Sequence, residues 1–79
     1  MTNLEKYHKA FVKILKQEEK DLPKLKYRGI AEWDSLGHMN LMGELENIFD
    51  ITMSTMDILE FTSYEKGKDV LSRYSVEIC

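Results

Sequence analysis

The sequence predicts an all-α bundle of three principal helices and one short helix, with a long loop between the first two. Three observations predict it. Apolar residues recur at the three-and-four spacing of a helical face in two long stretches, residues 4–15 and 41–49. Capping patterns precede two later stretches, and no segment reads as a strand. At 79 residues the chain is expected to be a single domain, and a domain of that size buries only roughly 60% of the surface its unfolded chain exposes.

Leu4, Tyr7, Phe11, Ile14 and Leu15 share one face of helix 1, with Glu5, Lys6, Lys9, Lys13 and Lys16 spread over the other. Thr2 or Asn3 is the expected cap, and the pattern spans about residues 3–18. From Asp21 to Trp33 the periodicity is lost, Pro23 removes a backbone donor, and Gly29 relaxes the backbone. A loop of this length is uncommon in a compact domain unless it serves a function. Leu22, Leu25, Tyr27, Ile30 and Trp33 are its candidates for anchoring it to the core.

Helix 2 is predicted from Ser35 to Phe49. At ~100° per residue, Leu41, Met42, Leu45, Ile48 and Phe49 fall within one arc and are assigned to the core. Leu36, Met39, Asn40 and Gly43 point largely elsewhere. Two apolar side chains, Leu36 and Met39, are thereby left beside the Ser35 hydroxyl, the composition either of a docking patch or of side chains that pack under the long loop. Asp50 to Met53 breaks the pattern. Ser54-Thr55-Met56-Asp57 then reads as a cap opening a short helix to about Phe61. Thr62-Ser63-Tyr64-Glu65 fits a capping box. The last helix is expected to run to about Tyr74, burying Tyr64, Val70, Leu71 and Tyr74, with Gly67 weakening it by ~1 kcal/mol relative to alanine. Met39, Met42, Met53 and Met56 cluster around helix 2 and the segment after it; methionine is more often a filler of core gaps, though a flexible thioether also suits a core that reshapes or a surface that meets several partners.

Charge excludes several functions. The formal net charge is −3, and it is divided unevenly: residues 1–30 carry 8 Lys or Arg against 4 Asp or Glu, and residues 31–79 carry 3 against 10. The half containing Ser35 is acidic, which argues against a nucleic-acid interface there. No apolar run approaches the ~18 residues of a membrane span, so membrane insertion is not expected. The first residues form no apolar signal region, and a cytoplasmic location is the expectation. The single cysteine, Cys79, has no partner for an internal disulfide, and His8 and His38 form no metal-ligand spacing. No metal is expected.

Ser35 is the residue of chemical interest. A serine nucleophile needs a base within hydrogen-bond reach and a group to orient that base. His38 is three residues away, but no Gly-x-Ser-x-Gly elbow surrounds Ser35, and a short helical chain offers little room for an enclosed active site. A serine modified by another enzyme asks less of its carrier. A helix N-terminus suits a phosphate product, because free N–H groups and the helix dipole favour an anion. The plainer use of Asp34 or Ser35 is to cap the helix, and since either neighbour can cap, modification and capping are compatible.

Asp34-Ser35-Leu36, followed by Leu41, Glu44, Leu45, Glu46, Phe49, Asp50 and Ile51, resembles the acyl carrier protein family. The resemblance extends to the length and to the order of four helices, with a short third one. It implies an acyl-carrier-like four-helix bundle and a non-catalytic function. Ser35 would carry 4'-phosphopantetheine, transferred from coenzyme A by a phosphopantetheinyl transferase, and the prosthetic thiol, not Cys79, would hold an acyl or aminoacyl group as a thioester. Asp34 would assist the transferase encounter. Leu36, Met39, Met42 and Met56 would meet partners, namely an acyl- or aminoacyl-loading enzyme and a downstream acyltransferase or synthase. Met42, Leu45, Met53, Leu59 and Phe61 would line an acyl cavity. The carrier is expected to be a monomer.

The sequence also departs from the family pattern. Trp33 precedes the motif where many fatty-acid carriers have a small or aliphatic residue, and Glu32 replaces a common glycine. Gly37 and Asn40 occupy positions that are often acidic there, which weakens docking to basic partner patches. The run from Glu44 to Ile51 is also similar to D-alanyl carriers, and Trp33 resembles stand-alone carriers of specialised pathways. A dedicated carrier is therefore favoured over a central fatty-acid one. The alternative from another class is a small helical adaptor that binds partners through Leu36, Met39 and Met42, with Ser35 as a plain cap.

Overall fold

The computed structural model describes residues 1–78, so Cys79 lies outside the described residues. It is an all-α globule with elements α1 (Asn3–Leu15), α2 (Ser35–Phe49), α3 (Thr55–Glu60) and α4 (Tyr64–Ser72). No strand forms among the described residues, and no helix is long and apolar enough to cross a membrane.

Helix α1 begins in a full capping box: Glu5 N–H donates to the Thr2 hydroxyl, and Thr2 N–H donates to the Glu5 carboxylate. Thr2, not Asn3, is the cap. The helix ends at Leu15, three residues short of the expected end, because Lys16 turns into the left-handed region at φ 57°. Residues 16–21 are all polar, so a longer helix would have no further apolar face to bury. The Gln17 side chain donates to the Leu15 carbonyl at the frayed end.

The expected loop is more ordered than its composition suggests. A 3-10 helix runs from Glu19 to Lys24 and sinks Leu22 into the core. Leu25 and Trp33 are also buried, while Tyr27 and Ile30 are half-buried against the same cluster. A single β-bridge pairs Lys26 with Ser63, through Tyr27 N–H to the Thr62 carbonyl at 2.8 Å and Tyr64 N–H to the Leu25 carbonyl at 3.0 Å. The backbone before α2 is thus tied to the start of α4.

Helix α4 departs from expectation at both ends. Its cap is Ser63, which accepts from Lys66 N–H at 2.9 Å, so the expected box at Thr62 and Glu65 does not form. It ends at Ser72, and Tyr74 is half-buried, not core. Short α3 is capped by Ser54 as expected. None of its side chains is fully buried; Ile58 packs half-buried against the core, and polar ties hold the helix to the residues that follow α4. Arg73 pairs with Asp57 at 2.6 Å and Glu60 at 2.7 Å, and the Tyr74 hydroxyl donates to Asp57 while accepting from Ser54 N–H. These bonds hold the Asp57 carboxyl below its ordinary range, Tyr74 contributing most and Arg73 next.

The core is aromatic at its centre. Phe11 lies 4.8 Å from Tyr7, 5.6 Å from Trp33 and 5.6 Å from Tyr64, each edge-on, and 6.2 Å from Phe61. The buried Tyr7 hydroxyl donates to the Tyr64 carbonyl at 2.6 Å. Gly67 packs into this cluster, and a Cβ there would overlap the Tyr7 hydroxyl and the Phe61 ring. The helix-weakening glycine of the sequence is therefore the residue that lets α4 close on α1. The Gly67→Ala variant is expected to lose about 1–3 kcal/mol through overpacking, despite its better helix propensity; urea unfolding that showed a gain would refute the close approach.

Burial pushes the Tyr7 phenol well above its ordinary value, with the nearby Tyr64 and Glu65 charges adding to the shift, and burial raises Tyr64 as well. The unfolded chain ionises these groups first, near pH ~10, so their contribution to stability is complete below that value and declines as pH rises past it. Thermal unfolding from pH 8 upward is expected to show this alkaline loss. Tyr7→Phe should weaken the pH dependence and leave the share due to Tyr64.

Candidate functional site

Ser35 stands at the junction of the ordered loop and α2. Its neighbour Asp34 is extended, at φ −98° and ψ −167°, and its carboxylate accepts from Gly37 N–H at 2.8 Å. Asp34 is thus the cap, and Ser35 is the first residue of the helix with its side chain exposed. A plain-cap role for Ser35 is corrected by this geometry. The approach is tight: a Cβ on Gly37 would overlap the Glu32 carbonyl, so the path of the loop requires glycine at this position.

Two loop residues reach the serine hydroxyl. Tyr27 Oη lies 3.1 Å from Ser35 Oγ, and Arg28 Nη2 donates to it at 3.2 Å. Hydrogen bonds to Ser35 and Arg28 hold the Tyr27 phenol below its ordinary value. Neither residue was singled out for Ser35 from the sequence, since contacts across seven and eight loop residues follow no helical or strand period. The available signal was Arg28 itself, the last cation before the acidic half.

His38 is engaged elsewhere. The buried Trp33 indole N–H donates to His38 Nδ1 at 2.9 Å, so the ring proton lies on Nε2, which donates to the Ile58 carbonyl at 2.8 Å. With both nitrogens committed, His38 is a brace between the loop, α2 and α3, and it is no base for Ser35. The hydrolase arrangement considered from the sequence does not form.

The remaining candidates divide by burial. Leu36 is 71% exposed, Met39 55% and Met56 65%. Met42 is only 1% exposed, so it belongs to the core and offers no partner-docking surface. Leu45, Met53 and Phe61 join it in the core cluster. Leu59, expected inside, is 65% exposed and lies on the outside. The His38 to Ile58 bond ties α3 to the first turn of α2, the turn that begins at Ser35.

Removing His38 strands the Trp33 indole N–H and the Ile58 carbonyl. His38→Ala is expected to cost about 1–3 kcal/mol, measured by urea unfolding with tryptophan fluorescence as the probe; unchanged stability and fluorescence would show that the brace carries no weight. Comparison with models of known protein families, with curated proteins and with solved structures finds no match to this chain.

Proposed function

We propose that this chain is a carrier of the acyl carrier protein class, with Ser35 as the attachment site for 4'-phosphopantetheine. The observation that carries the reading is the division of labour between Asp34 and Ser35: the aspartate caps α2, and the serine hydroxyl is left exposed on its first turn. The order of elements, with a short α3 between two longer helices, supports an acyl-carrier-like four-helix arrangement.

The residues present fit the group. Ser35 supplies an accessible oxygen, and Arg28 supplies a cation within hydrogen-bonding distance of that oxygen. In the transfer, Ser35 Oγ forms the new bond to phosphorus, its proton passes to a base of the transferase, and the adenosine bisphosphate half of coenzyme A leaves. Once attached, the group supplies a terminal thiol that carries acyl or aminoacyl cargo as a thioester. Asp34 keeps the first turn formed, and Leu36 and Met39, with Met56 and Leu59 from α3, offer apolar contacts to the transferase, the loading enzyme and a downstream acyltransferase or synthase. Met42, Leu45, Met53 and Phe61 are the interior residues nearest in role to an acyl-sheltering core.

Intact mass after incubation with coenzyme A and a broad-specificity phosphopantetheinyl transferase tests the proposal. The wild type is expected to gain one phosphopantetheine and Ser35→Ala none, with both proteins folded. No gain by a wild type whose starting mass shows no modification, where a control carrier loads, favours the adaptor that uses Leu36 and Met39 without a prosthetic group.

A further inference from the structure

Arg28 is the only lysine or arginine between Lys26 and Lys66, a stretch that also holds Glu32, Asp34 and six further acids. Some cations elsewhere in the molecule turn to carboxylates, among them Lys13 to Glu44 and the other arginine, Arg73, to Asp57 and Glu60. Among the described residues Arg28 has no such ion pair, although Asp34 and Glu32 are close in sequence. It is aimed instead at Ser35 Oγ.

Several contacts set that aim. The Arg28 backbone is left-handed at φ 63°, and its N–H donates to the Trp33 carbonyl at 2.8 Å. Its guanidinium carbon lies 5.3 Å from the centroid of the Tyr27 ring, whose hydroxyl meets the same serine oxygen. A guanidinium carries five N–H donors in a planar fork, far more than one neutral hydroxyl can accept, and that fork matches the oxygens of a phosphate. Beside it lies an open depression of about 290 Å³ lined by Arg28, Gly29, Ile30, Ala31, Trp33 and Asp34.

We propose that Arg28 and Tyr27 form a clamp for a phosphodiester carried on Ser35 Oγ. The inference rests on the carrier reading above. Modification brings a negative charge to a serine whose neighbours include Asp34 and Glu32, and Arg28 offsets the resulting repulsion with charge-assisted hydrogen bonds. Tyr27 contributes a donor from the side and orients the guanidinium. Both act as positioning residues that hold the root of the prosthetic arm against the loop. Lysine, a point charge without the fork, would reproduce the clamp only in part.

Nuclear magnetic resonance of the intact, loaded protein tests the clamp. The chain has two arginines, so Arg73 serves as an internal control for the Arg28 Nε–H signal. Loading is expected to move the Arg28 signal downfield and leave that of Arg73 in place. The phosphorus resonance of the folded wild type is expected to stand apart from that of the same protein unfolded in urea. In loaded Arg28→Gln it should move at least half of the way to the unfolded position, with Arg28→Lys between the two. An Arg28 Nε–H signal unmoved by loading, or identical phosphorus resonances in folded wild type and Arg28→Gln, overturns the clamp and leaves the carrier standing. The wild-type Arg28 signal decides the matter even if a variant fails to fold or load. A wild type that starts unmodified and gains no mass, where a control carrier loads, overturns the carrier reading and the clamp with it.

Discussion

The burial of Trp33 is the constraint on which the rest of the molecule depends. An indole taken wholly out of water needs an acceptor for its N–H, and its large apolar face needs partners of matching shape. Phe11 meets the ring edge-on and His38 lies nearly parallel to it, with His38 Nδ1 supplying the acceptor. Satisfying Trp33 fixes the His38 tautomer, and that tautomer reaches the α3 backbone. The Trp33 carbonyl accepts from Arg28 N–H, so the same residue bends the loop back and carries Tyr27 and Arg28 to the serine. One buried side chain thereby sets the start of α2, the seat of α3 and the surroundings of Ser35.

Two glycines make this arrangement sterically possible. Gly37 admits the Glu32 carbonyl to the first turn of α2, and Gly67 admits Tyr7 and Phe61 to the face of α4. At both places the backbone gives up helix propensity in exchange for a closer approach. The glycine at position 37 is thus fixed by geometry: a larger residue would displace the loop that ends in Trp33.

The helices themselves were legible because their apolar residues repeat with the helical period, and Ser54 was legible because capping chemistry is local. What escaped prediction was set by distance in the chain. The end of α1 at Leu15 follows from the run of polar residues after it, and the cap of α4 passes from Thr62 to Ser63 because Ser63 is held by its bridge to Lys26. Periodicity placed Leu36 and Met39 on the outside and Met42 in the core arc, whereas the docking role carried over for Met42 from the family pattern conflicts with its burial. The contacts of Tyr27 and Arg28 with Ser35 join a loop to a helix, and no repeat in the sequence encodes such a meeting. Leu59 was misplaced because α3 is too short for its pattern to define an inside.

That shortness has a consequence for how the molecule breathes. An element with no fully buried side chain, seated by half-buried Ile58, ion pairs, capping bonds and one histidine, is bound by forces weaker than those that hold the aromatic centre. Such an element belongs to the low-stability end of a fold, where local opening precedes global unfolding. Amide protons of residues 55–60 would then exchange with solvent through local openings that leave the Trp33 environment untouched. Evolution could also rewrite the outward residues of α3 with little penalty to folding, since the sites that hold the globule together lie elsewhere.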